Sequence, residues 1–231
     1  MIISDYITSL VDYPNKVCTT LFVPFCNLRC GYCYNHRLFK ENNPKILPDV
    51  ETVDVLIQRK QLTKYLCITG GEPTLQPDLP VYLRFLKSVG FKIKLDTNGT
   101  VPHIIERCLE HVDYIALDVK TSPDRYHVLD QFGNFKIENL RKSIKLIKES
   151  GVKYELRTVA FPFLMNDKTM EGLLNLVAYM GNPMLYRITQ FHPEGCYLRW
   201  CKKVKPYSEE ELDNLKWKAI DFGINHIALN I

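Results

Sequence analysis

Three cysteines lie within one short stretch of this chain and could bind a metal together. Cys26, Cys30 and Cys33 form a Cys-x3-Cys-x2-Cys pattern directly after a run of apolar residues. Thiolates are soft ligands that suit zinc, copper(I) and iron–sulfur clusters. A closed zinc site needs four ligands, and the nearby fourth candidate is His36, because no second pair of cysteines follows. Three cysteines on a 4Fe–4S cluster instead leave one iron open, so the spacing favours a cluster over zinc.

A pair of glycines stands where a predicted strand ends. The segment reads Thr69-Gly70-Gly71-Glu72-Pro73. Glycine lets a ligand approach the backbone closely, and the free carbonyls at a strand end can accept hydrogen bonds from an ammonium group. A tight turn accounts for such a pair equally well. The residues alone therefore leave a ligand site and a simple turn both open.

Two carboxylates also follow predicted strands. Asp96 comes directly before Thr97, and Asp118 comes two residues before Lys120. Carboxylates at neighbouring strand ends are unfavourable unless a cation or a hydrogen-bond donor compensates them. The pair therefore suggests a cation, although each carboxylate could simply cap the next turn. Lys120 could reach an acidic group nearby or remain an exposed lysine.

An arginine and a histidine complete the set of candidate residues. Arg157 lies on a predicted strand and can pair with a carboxylate through two nitrogens. Its alternative role is a structural ion pair with Glu155 or Asp118. His192 lies at the end of the sixth predicted strand, where an ordinary loop histidine is the alternative.

Strands and helices alternate along the chain and would position these residues. Apolar and β-branched runs predict strands, and apolar residues at helical spacing predict the helices between them. In the first long helix, Asp49 is the predicted cap, and the inward face is predicted to carry Val53, Leu56 and Ile57. The last helix is predicted to begin with a capping box at Ser208. The predicted strands cover 17–23, 65–69, 91–95, 112–119, 152–159, 184–189 and 224–231.

This alternation predicts an α/β fold with a parallel sheet and helices outside it. About six strand–helix units are fewer than the eight that close a barrel, so we expect an incomplete, open (β/α)6 barrel. A flat, doubly wound sheet is the rival architecture. Both place function at the carboxyl ends of the strands. No linker interrupts the pattern, so residues 1–231 are expected to form one domain.

The three-cysteine motif, with the aromatic Tyr32 before its last cysteine, resembles the signature of the radical S-adenosylmethionine (SAM) superfamily. The resemblance implies a laterally open barrel in which Cys26, Cys30 and Cys33 are catalytic ligands of a 4Fe–4S cluster. It implies that SAM binds the open iron through its amino and carboxylate groups. One electron then cleaves SAM to methionine and a 5′-deoxyadenosyl radical, which abstracts a hydrogen atom.

Further residues match glycyl-radical-enzyme activating enzymes, a branch of this superfamily. The resemblance implies that Asp96, Thr97 and Asp118 hold a monovalent cation, Na⁺ or K⁺, against the SAM carboxylate. It also implies a cofactor-binding role for a wider set, with the glycine pair at the SAM amino group: Tyr32, Asn35, Gly70, Gly71, Glu72, Asp96, Asp118, Lys120, Arg157 and His192.

Segments 9–14, 74–77 and 204–208 are similar to the small activating proteins of anaerobic ribonucleoside-triphosphate reductase. This implies an oxidoreductase that generates a glycyl radical on that reductase, with a flavodoxin- or ferredoxin-like electron donor. Tyr34 and Asn15 depart from the usual pattern, where histidine and glycine are common. The alternatives are a small-molecule enzyme similar to 7-carboxy-7-deazaguanine synthase and a zinc-stabilised binding module.

Composition narrows the possible partners and location. A net charge of +4 is too small and too dispersed to indicate a nucleic-acid partner. No apolar run reaches the 18 or more residues that span a membrane, so no membrane partner is expected. The chain shows no export signal, so its eight cysteines are expected to be reduced in the cytoplasm. Cys196 and Cys201 are too few for a second cluster and are interpreted as thiols or a redox pair.

Overall fold

The computed structural model describes residues 1–40, 46–181 and 185–230, and these form one eight-stranded sheet. The strand order follows the chain from β1 to β8, with β1 antiparallel to β2 and every later pair parallel. The strands are β1 (Asp5–Tyr13), β2 (Lys16–Val23), β3 (Tyr65–Gly70), β4 (Lys92–Thr97), β5 (Tyr114–Asp118), β6 (Lys153–Ala160), β7 (Tyr186–Gln190) and β8 (Ile227–Asn230).

Helices follow the strands β2 to β7, which confirms the predicted six strand–helix units. A doubly wound sheet reverses its strand order at a switch point. Here the order never reverses, so the sheet is a curled, open half-barrel. The helices are α1 (Arg37–Lys40), α2 (Asp49–Lys60), α3 (Leu79–Ser88), α4 (Pro102–Cys108), α5 (Ile137–Glu149), α6 (Asp167–Tyr179) and α7 (Glu209–Asp221).

Strand β4 shows how the sheet separates two environments. Ile93 and Leu95 are fully buried in the core between sheet and helices. Lys94 and Asp96 alternate with them and line cavities on the concave side. A closed eight-stranded barrel fills its interior with branched apolar side chains. This open sheet instead keeps a charged interior, which is where the candidate site residues lie.

The N-terminal strand β1 was not predicted. Most of its side chains are exposed, so it lacks the buried apolar run that marks the other strands. It turns into β2 through Asn15, whose backbone adopts a left-handed φ of 56°. Asp12 of β1 accepts a hydrogen bond of 2.7 Å from the Thr20 hydroxyl of β2. The hairpin therefore brings one more carboxylate to the concave side.

Several local predictions need correction. Ile57 was predicted to face inward but is 56% exposed. The inward face of α2 is formed by the buried Leu56 and, one turn before Leu56, by the buried Thr52. Pro48, not Asp49, occupies the cap position of α2. The capping box of α7 between Ser208 and Glu211 is confirmed. The predicted strands 184–189 and 224–231 include Met184 and Ile231, which lie outside the described residues.

In the part of the chain that the structure describes, no helix has the length and apolar character that a membrane crossing requires.

Replacing Leu156 by alanine should lower the free energy of unfolding by about 2–5 kcal/mol, because this β6 side chain is fully buried and its truncation leaves a cavity. Urea denaturation followed by circular dichroism measures the loss. Val81→Ala on α3 is the control, since that side chain is 53% exposed. The control should change stability by no more than about 0.5 kcal/mol. Equal losses in the two variants would contradict the packing described for β6.

Candidate functional site

A cavity of about 500 Å³ lies on the concave side at the carboxyl ends of the strands. It gathers nearly all the residues that the sequence singled out, from five separate segments. Its lining includes Cys26, Cys30, Tyr32, Cys33, Asn35, Gly70, Gly71, Glu72, Asp96, Thr97, Asp118, Lys120 and Arg157. His192 is not part of this lining.

The three cysteines line the cavity from the loop after β2. A turn closed by the Cys33 amide and the Cys30 carbonyl (3.1 Å) brings these two residues together. The Leu28 amide lies 3.4 Å from the Cys26 sulfur and donates to it. Burial raises the pKa of Cys26 and of Cys33 to about 12, and it raises the pKa of Cys30 as well. Without a bound cation, the three groups are therefore protonated thiols at neutral pH.

Gly71 allows the end of β3 to touch the cysteine loop. A Cβ atom at this position would lie 1.8 Å from the Phe25 carbonyl oxygen, so any other residue would force the two segments apart. The Gly71 amide donates to the Val23 carbonyl (2.8 Å), and the Glu72 amide donates to the Phe25 carbonyl (2.7 Å). Phe25 itself has a left-handed φ of 68°, which is rare for a bulky residue. The glycine pair thus fixes the start of the cysteine loop.

Glu72 is buried, and its carboxylate connects the segments that follow β3 and β4. One oxygen accepts from the Thr74 amide (3.0 Å) and from the hydroxyls of Thr74 (2.6 Å) and Thr97 (2.7 Å). The other oxygen accepts from the Asn98 amide (2.7 Å). Burial raises the pKa of Glu72, and these donors oppose that shift. The carboxylate therefore positions the ends of β3 and β4 through contacts within the protein.

Asn35 and Tyr32 support the cysteine loop from two sides. The Asn35 side-chain amide donates to the Gly70 carbonyl at 3.4 Å. This contact joins Asn35, two residues after the cysteine motif, to the glycine pair. Tyr32 is buried, and its ring centroid lies 5.1 Å from that of Phe161. Both residues thus lie where the sequence placed them, beside the predicted cluster ligands.

Arg157 bridges the two carboxylates at the strand ends. Its Nη1 donates to Asp96 and its Nε donates to Asp118, each at 2.9 Å. Lys94 donates to the other Asp96 oxygen at 2.5 Å, and Lys120 donates to the other Asp118 oxygen at 3.0 Å. Three cationic side chains therefore compensate the carboxylates. The structural ion pair considered for Arg157 is present, with Asp118 and also with Asp96.

These pairings determine the protonation of the interior. Burial alone raises the pKa of Asp118, but attraction to Arg157 and Lys120 outweighs it and holds that pKa at about 2. Burial lowers the pKa of Lys120, but Asp118 outweighs it and the net shift is upward. Asp118, Lys120 and Arg157 are consequently all charged at neutral pH.

The contacts of the described residues do not test whether a monovalent cation binds at Asp96, Thr97 and Asp118. Thr97 uses its hydroxyl to donate to Glu72, while Asp96 and Asp118 accept from cationic side chains. Among the described residues, no three His, Cys, Asp or Glu side chains surround a single metal-ion position. A zinc ion on Cys26, Cys30, Cys33 and His36 would need such an arrangement. The cation stays a prediction.

His192 lies outside the cavity lining, and its side chain is exposed. Its backbone carbonyl accepts hydrogen bonds from the Tyr34 hydroxyl and from the Cys196 thiol, the latter at 3.4 Å. Cys196 and Cys201 are both buried as free thiols, and Cys201 packs against Gly31 within the cysteine motif. The predicted contact of His192 with an adenosyl group stays a prediction.

Three polar residues of the site were not predicted. Lys94 gives one usable signal, since a lysine inside a strand otherwise made of buried residues requires an ionic partner. Asn98 was not singled out from the sequence; its side chain lies 3.9 Å from the Cys26 sulfur and donates to Asn27 at 3.0 Å. Asp12 lies on β1, which the sequence pattern did not reveal.

The residues of this cavity fit an iron–sulfur cluster. Three thiols, the donors of choice for iron, line one cavity together with a glycine pair that leaves the backbone accessible. The ligands of a cluster bind different irons, so the thiols need not converge on one point. The same cavity is lined by Asp96 of β4, Asp118 of β5 and Arg157 of β6.

Comparisons with known proteins agree with this geometry. A family model described as the radical SAM superfamily matches residues 20–180. A glycyl-radical enzyme activating enzyme of Methanocaldococcus jannaschii is 34% identical over 215 residues, which cover 90% of this chain and 86% of the relative. A pyruvate formate-lyase-activating enzyme of Clostridium pasteurianum is 28% identical over 193 residues, covering 80% of this chain and 79% of the relative.

Two further matches complete the comparison. The 7-carboxy-7-deazaguanine synthase of Aquifex aeolicus is 35% identical over 132 residues, covering 57% of this chain and 56% of the relative. The crystal structure of Streptococcus suis SuiB bound to its precursor peptide SuiA shares the fold, with a TM-score of 0.67 at 18% identity over 92% of this chain and 48% of SuiB. With the family model matching most of its length, including all three cysteines, the chain belongs to the radical SAM superfamily.

Proposed function

We propose that this protein is an activase that uses SAM to generate a glycyl radical on a larger partner enzyme. The observation that carries the proposal is the single cavity that joins three cysteines, a glycine pair and two compensated carboxylates. The 34% identity to a glycyl-radical enzyme activating enzyme supports the same activity. The partner proposed is an anaerobic ribonucleoside-triphosphate reductase, with a flavodoxin- or ferredoxin-like protein as electron donor.

Cys26, Cys30 and Cys33 would hold the 4Fe–4S cluster. When bound, the cluster supplies one electron to the sulfonium of SAM. The chain's contribution is to keep the three thiolates on one wall of a buried cavity, where Gly71 and Glu72 fix the loop that carries them. Burial disfavours free thiolates, so the ligands are charged only while metal is bound.

The SAM molecule would lie between the glycine pair and the charged strand ends. Backbone carbonyls near Gly70 can accept from its amino group. Lys120 and Arg157 can donate to its carboxylate, while Asp118 holds both cations in place. A Na⁺ or K⁺ ion at Asp96, Thr97 and Asp118 is proposed as an additional counter-charge. His192 is proposed to approach the adenosyl group.

A second candidate function is a small-molecule enzyme of the 7-carboxy-7-deazaguanine synthase type. The 35% identity over 132 residues to such a synthase favours it. Only 57% of this chain takes part in that match, against 90% in the match to the activating enzyme. The activase is therefore the preferred proposal.

An assay of 5′-deoxyadenosine release distinguishes the two functions. Anaerobically reconstituted protein, SAM and a reductant are mixed with candidate glycyl-radical proteins, and release is measured by liquid chromatography. We expect an anaerobic ribonucleotide reductase to stimulate release and to acquire a glycyl radical signal in electron paramagnetic resonance. Release that no glycyl-radical protein stimulates, with no radical on any protein, would replace the activase with the second candidate.

Replacing Cys30 by alanine should abolish both iron binding and SAM cleavage, because it removes one of three proposed cluster ligands. Iron content and 5′-deoxyadenosine release are measured on the same anaerobic sample. Cys108→Ala is the control, since Cys108 is equally buried but lies on α4, outside the cavity lining. Cleavage of SAM by the Cys30 variant at the control's rate would refute the ligand assignment.

Replacing Asp118 by alanine should weaken SAM binding about tenfold or more while leaving iron content nearly intact. Without Asp118, Lys120 and Arg157 lose the ion pairs that hold them beside the cavity. A hydrogen bond to a charged group contributes about 1.5–3 kcal/mol, and about 1.4 kcal/mol corresponds to a tenfold change in affinity. The affinity is measured by titration with and without added K⁺ or Na⁺.

Asp213→Ala, an exposed change on α7, is the matched control for the Asp118 variant and should leave SAM affinity unchanged. In the wild type, we expect added K⁺ or Na⁺ to strengthen SAM binding, because the ion would bind at Asp96, Thr97 and Asp118. An affinity that does not respond to either ion would remove the cation from the proposal.

A further inference from the structure

A second cavity of about 710 Å³ adjoins the first on the open side of the half-barrel. Tyr32, Asp118, Lys120 and Arg157 line both cavities, so the two are continuous. The far walls of the second cavity, called here the cleft, are the β1–β2 hairpin at 10–15 and the strands β7 and β8. A molecule in the cleft would therefore reach the predicted SAM site from the side.

Charged side chains dominate the interior of the cleft. Four basic residues face three acidic ones, which gives the lining a net charge of +1. The seven residues are Lys94, Lys120, Arg157, Arg187, Asp12, Asp118 and Glu155. Asp96 lies just outside this lining and accepts from Lys94 and Arg157, so the charged network as a whole is balanced.

Arg187 is the basic residue of the cleft whose nearest acidic partner lies farthest away, at 3.2 Å. Its Nε and Nη2 both donate to one oxygen of Glu155, at 3.3 and 3.2 Å. Charge-assisted bonds of this kind are commonly 2.7–2.9 Å, so the pair is loose. In residues 1–40, 46–181 and 185–230, Nη1 of Arg187 has no hydrogen-bond partner. The side chain is 29% exposed, and it lines the cleft.

The surroundings of Arg187 keep it in this orientation. Glu155 has a 4% exposed side chain and lies 4.0 Å from the Lys94 ammonium group, so its position is fixed from the other side. Arg157 and Lys120, by contrast, already donate to Asp96 or Asp118 at 3.0 Å or less. Arg157 and Lys120 also line the cavity that holds the cysteines, whereas Arg187 lines the cleft alone, so a new acceptor in the cleft would find the Nη1 group of Arg187 unused.

We propose that Arg187 binds a carboxylate of the substrate in this cleft and so selects among substrates. The inference deepens the proposed function and rests on it: the carboxylate is then an Asp or Glu side chain close to the target glycine of the partner's polypeptide. The planar guanidinium offers parallel donors that match the two oxygens of a carboxylate. Arg187 is not part of the proposed SAM site, so its role in substrate selection is separate from SAM binding.

Short synthetic peptides with one central glycine test the proposal. Asp is placed in turn at each position around the glycine, and Asn replaces it in a matched series. Binding to the wild-type protein, reconstituted with cluster and SAM, is measured by isothermal titration calorimetry. We expect Asp to bind about 10- to 100-fold more tightly than Asn at one or two positions. No preference for Asp at any position would overturn the proposal.

Variants at Arg187 assign the preference to this residue. Arg187→Gln should remove the preference for Asp, and Arg187→Glu should reverse it in favour of peptides with Lys at the same position. Arg84→Gln, an exposed change on α3, should retain the wild-type preference. Retention of the Asp preference in Arg187→Gln would assign it to another residue and overturn the proposal.

A paired variant guards against loss of folding. Arg187→Gln alone leaves the buried Glu155 with one fewer partner, so the double variant Glu155→Gln/Arg187→Gln removes both charges together. This variant should fold and should bind the Asp and Asn peptides equally. A glycyl radical formed on partner peptides regardless of Asp would refute the role of Arg187 but keep the activase. An Asp preference without any glycyl radical would refute the activase itself.

Discussion

The close approach of Gly71 to the Phe25 carbonyl is the contact on which the site depends. It allows the end of β3 to lie against the first residues of the cysteine loop, with two backbone hydrogen bonds across the contact. Any side chain at Gly71 would separate the segments and move the cysteines relative to the strand ends. The left-handed backbone of Phe25 is the local cost of this arrangement, since such strain persists only where surrounding contacts enforce it.

Charge compensation is the second constraint, because the open sheet places ionic groups where a closed barrel places apolar ones. Asp96 and Asp118 remain ionised through Arg157, and the flanking Lys94 and Lys120 complete the neutralisation. Breaking one buried pair of this kind leaves an uncompensated charge and is strongly destabilising. The network therefore serves stability and site geometry together, which is why its members alternate with core residues on the same strands.

Sequence patterns predicted the fold where the local signal is strong, as in the apolar run of β4 and the capping box of α7, and the motif resemblance gathered residues that these patterns could not. They failed where burial is one-sided or a residue's role depends on distant partners. The edge strand β1 is mostly exposed and gives no apolar run, so Asp12 was missed with it. Ile57 was assigned inward because apolar character does not reveal which side of α2 meets the sheet. The Arg157 bridge between two strands could be named only as one alternative.

On the open side of the half-barrel, the cleft proposed to select the substrate adjoins the predicted SAM cavity. Tyr32 and Lys120 line both. All of this presupposes that the cysteine loop carries an iron–sulfur cluster with one accessible iron. Electron paramagnetic resonance of the reduced, anaerobically purified protein, recorded before and after adding SAM, is the most direct measurement. The account predicts a 4Fe–4S signal that changes when SAM binds. Protein without iron, or a cluster signal that SAM leaves unchanged, would contradict it.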